Sequence, residues 1–365
     1  MLLEGLHIPL TTPFHPDGRL NTPKLAANVT RYSKTPAAGL IVLGPHGEPT
    51  LLSDDESREV LRTAAQAVAP EKVLIAGVFR DSVHATLALA GFAAEQRYDA
   101  ILIGVPSVLA EGEDRSAQHM RELLTFFRTI ADRSPLGVVL LSSSLAGGRI
   151  SADAAIELAA HPNIVGLMDG VARQRGEIEE ILLGAAAIQR EVTVTTVFTA
   201  VTARMLAAAS TANRTALISA ATLGATSIAS RLAIAEPSAS APPLLRTRRT
   251  TVGFQILAGA TTGMLDGLRA GVTGIAPGFA ACAPQACYEV FAAWKDGDLP
   301  LAEEKQARLN PAAHLAEDGN GSGPGCLKFG CDLNGYFGGW PRLPHLPPTG
   351  EQRAKLEHLM AGMHN

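Results

Sequence analysis

Eight short apolar runs recur along the chain, each followed by a longer stretch of mixed apolar and polar residues: Gly5–Pro9, Gly39–Leu43, Val73–Gly77, Ala100–Val105, Gly137–Leu141, Ile164–Met168, Gly253–Ala258 and Val272–Ala276. The runs are nearly continuous in apolar character rather than alternating. That is the mark of parallel strands covered on both faces. The intervening stretches read as helices, and some carry explicit start signals. Ser53 with Glu56 three residues on forms a capping box, with Asp54 and Asp55 suited to the positive end of the helix dipole. Ser151 and Asp153 open another helix in the same way. Eight strands alternating with helices predict a closed (β/α)8 TIM barrel over residues 1–290.

Two segments break the rhythm. The first, 191–251, is rich in Ala, Thr and Ser and reads as an insertion. Between Glu191 and Asp266 its single acid is Glu236, whereas Arg204, Arg214, Arg231, Arg246, Arg248 and Arg249 are basic. Residues 236–250 have linker composition. The insertion is expected to be a surface excursion, with an oligomer or partner contact as the alternative. The second break, Glu317–Gly325, is a Gly-rich loop. It lies within a C-terminal helical extension, 291–365, whose last predicted helix covers 349–363.

Composition adds exclusions more than assignments. The 365 residues are 47% apolar and 18% charged, with a net charge of −4, which gives no electrostatic sign of nucleic-acid binding. The opening MLLEGLHIPL lacks a basic segment before its apolar residues, so no signal peptide is expected. No run of about 20 apolar residues suggests a membrane span. A cytoplasmic location is the expectation. The four cysteines, Cys282, Cys287, Cys326 and Cys331, fall late in the chain. Their C-x4-C pairs do not match the usual compact zinc knuckles, so buried or spectator thiols are expected.

Several short motifs occur in a fixed order. Ile8-Pro9-Leu10-Thr11-Thr12-Pro13-Phe14 precedes Asp17-Gly18, and Gly44-Pro45-His46-Gly47-Glu48 precedes Leu52-Ser53. Ala76-Gly77-Val78, Asn163-Ile164-Val165-Gly166-Leu167-Met168-Asp169, the stretch Gly271 to Pro284 and Ala293-Trp294-Lys295-Asp296-Gly297-Asp298 follow. Together they resemble the dihydrodipicolinate synthase / N-acetylneuraminate lyase family across most of the chain outside the insertion. The resemblance implies a TIM barrel that binds a 2-oxo acid as a Schiff base, and a homo-oligomer. It also implies that the imine lysine ends the sixth strand, where this chain has Met168. A thioether cannot form an imine. The family's substrate-holding hydroxyl residues map onto Pro45 and His46, and its relay tyrosine maps onto Leu141, followed by Ser142. The implied substrate pocket comprises Thr12, Gly44, Pro45, Gly47, Leu141, Ser142 and Met168. The lysines are Lys24, Lys34, Lys72, Lys295, Lys305, Lys328 and Lys355, and none falls at a predicted strand C-terminus. Lys72 precedes a strand, and Lys328 lies in the extension.

The chemistry left at the predicted mouth rests on His46, Glu48 and Asp169. His46 is a candidate general acid or base. Glu48 either joins it or satisfies backbone amides of its own loop. Asp169 either orients a substrate hydroxyl or caps the following turn. The three together could ligate a divalent cation and stabilise an enolate without a lysine, although their spacing is no recognised ligand signature. No cofactor motif is read. Ser142, Ser143 and Ser144 with Gly147-Gly148 form a polar lip, and His84 follows the third strand. The expectation is a lyase or aldolase-type protein for a small 2-oxo or hydroxy acid that works without an imine. The alternative is a catalytically inactive barrel that binds a small carboxylate ligand or a protein partner. A charged mouth with His46, Glu48 and Asp169 converging favours the first, and a mouth plugged by Leu141, Val108 and Met168 favours the second.

Overall fold

The computed structural model describes residues 1–110, 117–143, 145, 148–170, 175–210, 245–318 and 323–363. Eight parallel strands close a barrel: β1 (Gly5–Pro9), β2 (Gly39–Val42), β3 (Val73–Gly77), β4 (Ala100–Ile103), β5 (Gly137–Leu141), β6 (Ile164–Asp169), β9 (Gln255–Ala258) and β10 (Gly274–Ile275), with β10 pairing back onto β1. The helices between them are α1 (Thr22–Tyr32), α2 (Asp54–Ala67), α3 (Val83–Glu95), α4 (Ala117–Arg133), α5 (Ala152–Ala159), α6 (Arg175–Gly184) and α7 (Met264–Ala270). The eighth barrel helix, α8 (Pro284–Lys295), follows the last strand and packs against β1, and the extension adds α9 (Leu299–Ala313), α10 (Pro324–Leu333) and α11 (Gly350–Met360). The capping box of Ser53 and Glu56 is formed in both directions at the start of α2.

Successive strand residues point to opposite faces, and the two faces fill separately. Leu40, Val42, Leu74, Ile101, Leu140, Leu167 and Ile256 pack outward with the helices. Ile41, Ile75, Leu102, Val139, Leu141, Met168 and Leu257 form a second cluster inside the barrel. Each large apolar side chain buried this way contributes about 1.5–3 kcal/mol. The lumen is therefore a packed core and not a channel.

The last barrel strand is shorter than the apolar run Val272–Ala276, because Val272 N bonds Gly267 O at the end of α7 and so belongs to the helix terminus. The flanks of the insertion differ more. Residues expected to be linker instead form β8 (Thr247–Val252), which pairs antiparallel with β7 (Arg190–Thr195). Val192 and Val194 on this ribbon pack against Leu2. A helical run at 203–210 follows β7, and Ala203 N and Arg204 both reach Asp99 just ahead of β4. The flanks thus sit against the N-terminal end of the barrel. Residues 211–244 of the predicted insertion, Ser144 and Gly147 of the lip, and 319–322 of the second loop lie outside the described residues.

Candidate functional site at the barrel rim

The loop after β2 makes two tight turns back to back. Gly44 leads into a 3-10 turn, Pro45–Gly47, closed by Gly47 N donating to Gly44 O at 2.9 Å. Glu48 then adopts the left-handed region (φ 54°, ψ 44°) before a second turn, Pro49–Leu51. A non-glycine residue in that region is strained, so other groups have to hold it there. Thr12 Oγ1 donates to Gly47 O at 2.7 Å from one side. The extension holds the other. Glu48 Oε2 accepts from Arg342 N at 2.8 Å, and Glu48 Oε1 forms an ion pair with Lys328 Nζ on α10.

Lys328 has no exposed surface. Its ammonium also donates to Trp340 O at 2.8 Å and lies 4.4 Å from the centre of the Phe14 ring. Burial pushes its pKa below the ordinary lysine value, and the Glu48 carboxylate opposes that shift. Arg342 completes the anchorage with a bidentate pair to Glu56 (2.7 and 2.5 Å) and further bonds to Leu51 O and Gly18 O. Its guanidinium holds the Glu56 carboxyl below the usual carboxylate range. A lysine does therefore reach the strand C-termini, against the sequence-based layout, and it arrives from the extension. It is enclosed as one half of an ion pair. The local hint in the chain is a charge set between Leu327 and Phe329 in a mostly apolar helix.

His46 sits at the opening. A side chain on Gly278 would collide with both His46 Nε2 and Glu317 Oε1, so these two groups converge above the backbone after β10. Glu317 is carried by a π turn, His314–Asp318, and its Oε1 accepts from Thr261 Oγ1 at 2.5 Å. Sequence reasoning did not single out Glu317, Thr261 or His345. His46, Glu48, Thr50, Glu317, Leu327 and His345 line a cavity of about 230 Å³.

Asp169 lies elsewhere. At the end of β6, across the closed barrel from β2, strand alternation turns its side chain away from the lumen that Met168 enters. Asp169 Oδ1 accepts from Ser142 Oγ at 2.7 Å, and Asp169 O accepts from Gly259 N at 2.7 Å. Ser142 Oγ in turn accepts from Gly170 N at 3.1 Å. These bonds tie β5, β6 and the end of β9 together. His46, Glu48 and Asp169 do not converge, and no three His, Cys, Asp or Glu side chains among the described residues are grouped to hold a metal ion. Leu141 and Met168 are fully enclosed in the lumen cluster, whereas Val108 stands out in solvent and is no part of the plug. His84 is exposed on the first turn of α3. Lys72 bonds Thr35 O and Ala37 O, ahead of β2 at the N-terminal end. All four cysteines are buried free thiols.

A (β/α)8 barrel with a polar cavity over its strand C-termini and a helical extension braced against that rim defines the class of barrel that supports loop-borne binding and catalysis. The chain belongs to the dihydrodipicolinate synthetase family, whose profile matches residues 2–207 and 233–362. It is 25% identical over 367 residues to the 4-hydroxy-tetrahydrodipicolinate synthase of Acidiphilium cryptum, covering 99% of both chains. It is 26% identical over 365 residues to the L-threo-3-deoxy-hexylosonate aldolase of Aspergillus niger, covering 96% of this chain and 92% of that one. Among solved structures, a prophage protein of the same family from E. coli K12, in complex with pyruvate, superposes with a TM-score of 0.73 at 19% identity, covering 100% and 99% of the two chains. A dihydrodipicolinate synthase variant described as monomeric superposes with a TM-score of 0.71 at 18% identity over 98% of this chain and 96% of that one. These structural likenesses bear on the fold alone. No helix among the described residues is long and apolar enough to cross a membrane.

Proposed function

We propose that this barrel has lost imine catalysis and binds a small carboxylate at its rim. Met168 is the observation that carries the reading. It occupies the position where the family resemblance implies the imine lysine, and it is 1% exposed among Leu141, Val139 and Leu257. A substrate carbonyl placed there would meet a thioether in an apolar core, with no amine to attack it. Lys328 does not replace it, because its ammonium is engaged by Glu48, Trp340 O and the Phe14 face. The rim retains two imidazoles, His46 and His345, beside the cavity. Protonated imidazole donates from both nitrogens and suits a carboxylate.

A second reading is favoured by the convergence of His46 and Glu317. A histidine beside a carboxylate can move a proton, so a lyase step on a 2-oxo or hydroxy acid without an imine fits that pair. Three measurements separate the readings. Borohydride trapping with pyruvate should leave the mass of the protein unchanged, and incubation with small 2-oxo and hydroxy acids should release no pyruvate, while calorimetry detects carboxylate binding. Adduct formation on a lysine would overturn both readings. Pyruvate release without an adduct, abolished in His46→Ala, would establish the second. By the same family resemblance the protein is proposed to be a homo-oligomer, which sedimentation measures directly.

A further inference from the structure

The polar cavity continues into a second one. Pro49, Thr50 and Leu145 line both the 230 Å³ cavity around His46 and a neighbouring cavity of about 350 Å³. The two adjoin at the rim, and the second has the larger share of apolar surface. The second cavity is walled by Leu52, Phe79, Val105 and Pro106 as well as the shared residues. Phe79 forms its floor, packing against the lumen cluster from above. Gly104 keeps that floor open, since a side chain there would press on the Phe79 ring at 3.3 Å.

Asp81, Ser107 and Arg80 in this second cavity already have partners within the protein. Asp81 accepts from both Ser107 N and Ser107 Oγ at 2.6 Å. Arg80 donates to Asp54 Oδ1 at 3.0 and 2.9 Å, to Ser57 Oγ at 2.9 Å and to Phe79 O at 2.9 Å. An apolar group would gain by covering the half-buried Phe79 and the exposed Leu145. In the first cavity the charge of Glu48 is matched by Lys328, His46 lies beside Glu317, and His345 lines the same cavity.

We infer that the rim takes an amphipathic monocarboxylic acid, with its carboxylate at the His46 and His345 end and a hydrocarbon tail over Phe79. This rests on the carboxylate reading proposed above and adds the tail. The site is thereby assigned a ligand class different from a short, wholly polar acid.

Calorimetric titration with acetate, butyrate and hexanoate tests it, with hexylamine as the charge-reversed probe. Affinity should rise about fourfold for each methylene that enters the groove, and the heat capacity change should grow more negative along the series. Hexylamine should bind more weakly than hexanoate. Phe79→Leu, which keeps an apolar floor, should cut hexanoate affinity several-fold and leave acetate unchanged. If acetate and hexanoate bind equally, the tail assignment is wrong while the carboxylate reading stands. If no carboxylate binds, both fail. Hexylamine binding as tightly as hexanoate would overturn the placement of the carboxylate head.

Discussion

The two ends of the barrel both bury charge, but they use it differently. At the N-terminal end, Asp99 accepts from Leu74 N, Ala203 N and Arg204, and Lys72 donates to two carbonyls. His7 lies wholly buried on β1, with Nε2 donating to Leu3 O at 3.0 Å. Most partners there are backbone groups of neighbouring strands and turns, and the outcome is a sealed floor. At the C-terminal end the charges of Glu48 and Glu56 are met by side chains of the extension, Lys328 and Arg342. That bracing leaves a groove open beside it. The floor spends its polar groups on closure, and the rim spends them on holding a loop in a strained shape around empty space.

The largest effect that would break this comparison lies in the Glu48–Lys328 pair, whose side chains are 2% and 0% exposed. Removing one partner strands the other charge in the interior, so Lys328→Met should cost about 3–5 kcal/mol. Glu48→Gln with Lys328→Met should cost less than the two single changes summed. Urea unfolding of the four proteins reads the coupling. Strict additivity would mean that the rim is not braced by this pair.

The floor has its own signature, in pH. Burial lowers the pKa of His7 to about 4 from 6.5, so the folded protein prefers the neutral ring. A depressed histidine contributes stability that is complete above the unfolded value and is lost as pH falls from about 6.5 towards 4. The full contribution is about 3 kcal/mol. His7→Leu should remove that component, so the difference between parent and variant should shrink steadily over this interval. A constant difference would show that His7 does not titrate with folding.

Arg204→Met tests whether the insertion is docked or merely adjacent. The Asp99–Arg204 pair is 5% and 10% exposed at its side chains. Its loss should cost about 1–3 kcal/mol, because the buried Asp99 carboxylate keeps its two backbone donors but loses its countercharge, and should speed amide exchange at 203–210 ahead of the barrel strands. Arg249→Ala, by contrast, removes an exposed pair with Glu191 and should change stability by less than about 0.5 kcal/mol. A comparable loss from both would erase the distinction between a built floor and its surface.

Much of the barrel was readable because its signals are local. Apolar runs set the strands, and Ser53 with Glu56 announced α2. The β7–β8 ribbon was not, because Arg248 and Arg249 sit on an exposed strand without apolar alternation, and Arg249 finds its partner Glu191 58 residues away. At the site, the place of Met168 on the sixth strand was legible from its own apolar run. Asp169 was grouped with His46 and Glu48 because sequence position at a strand end does not reveal strand parity. Glu317 and Lys328 could not be placed, since nothing near them in the chain records the turns against which they fold.

The bond between Arg342 N and Glu48 spans 294 residues. During synthesis the βα loop that carries His46 leaves the ribosome long before Arg342 or Lys328 exists. At translation rates of roughly 5–20 residues per second, that loop waits many seconds for its brace while the strands around it are free to pair. A nascent chain stalled before the extension should hold a recognisable barrel wall whose rim has yet to take shape.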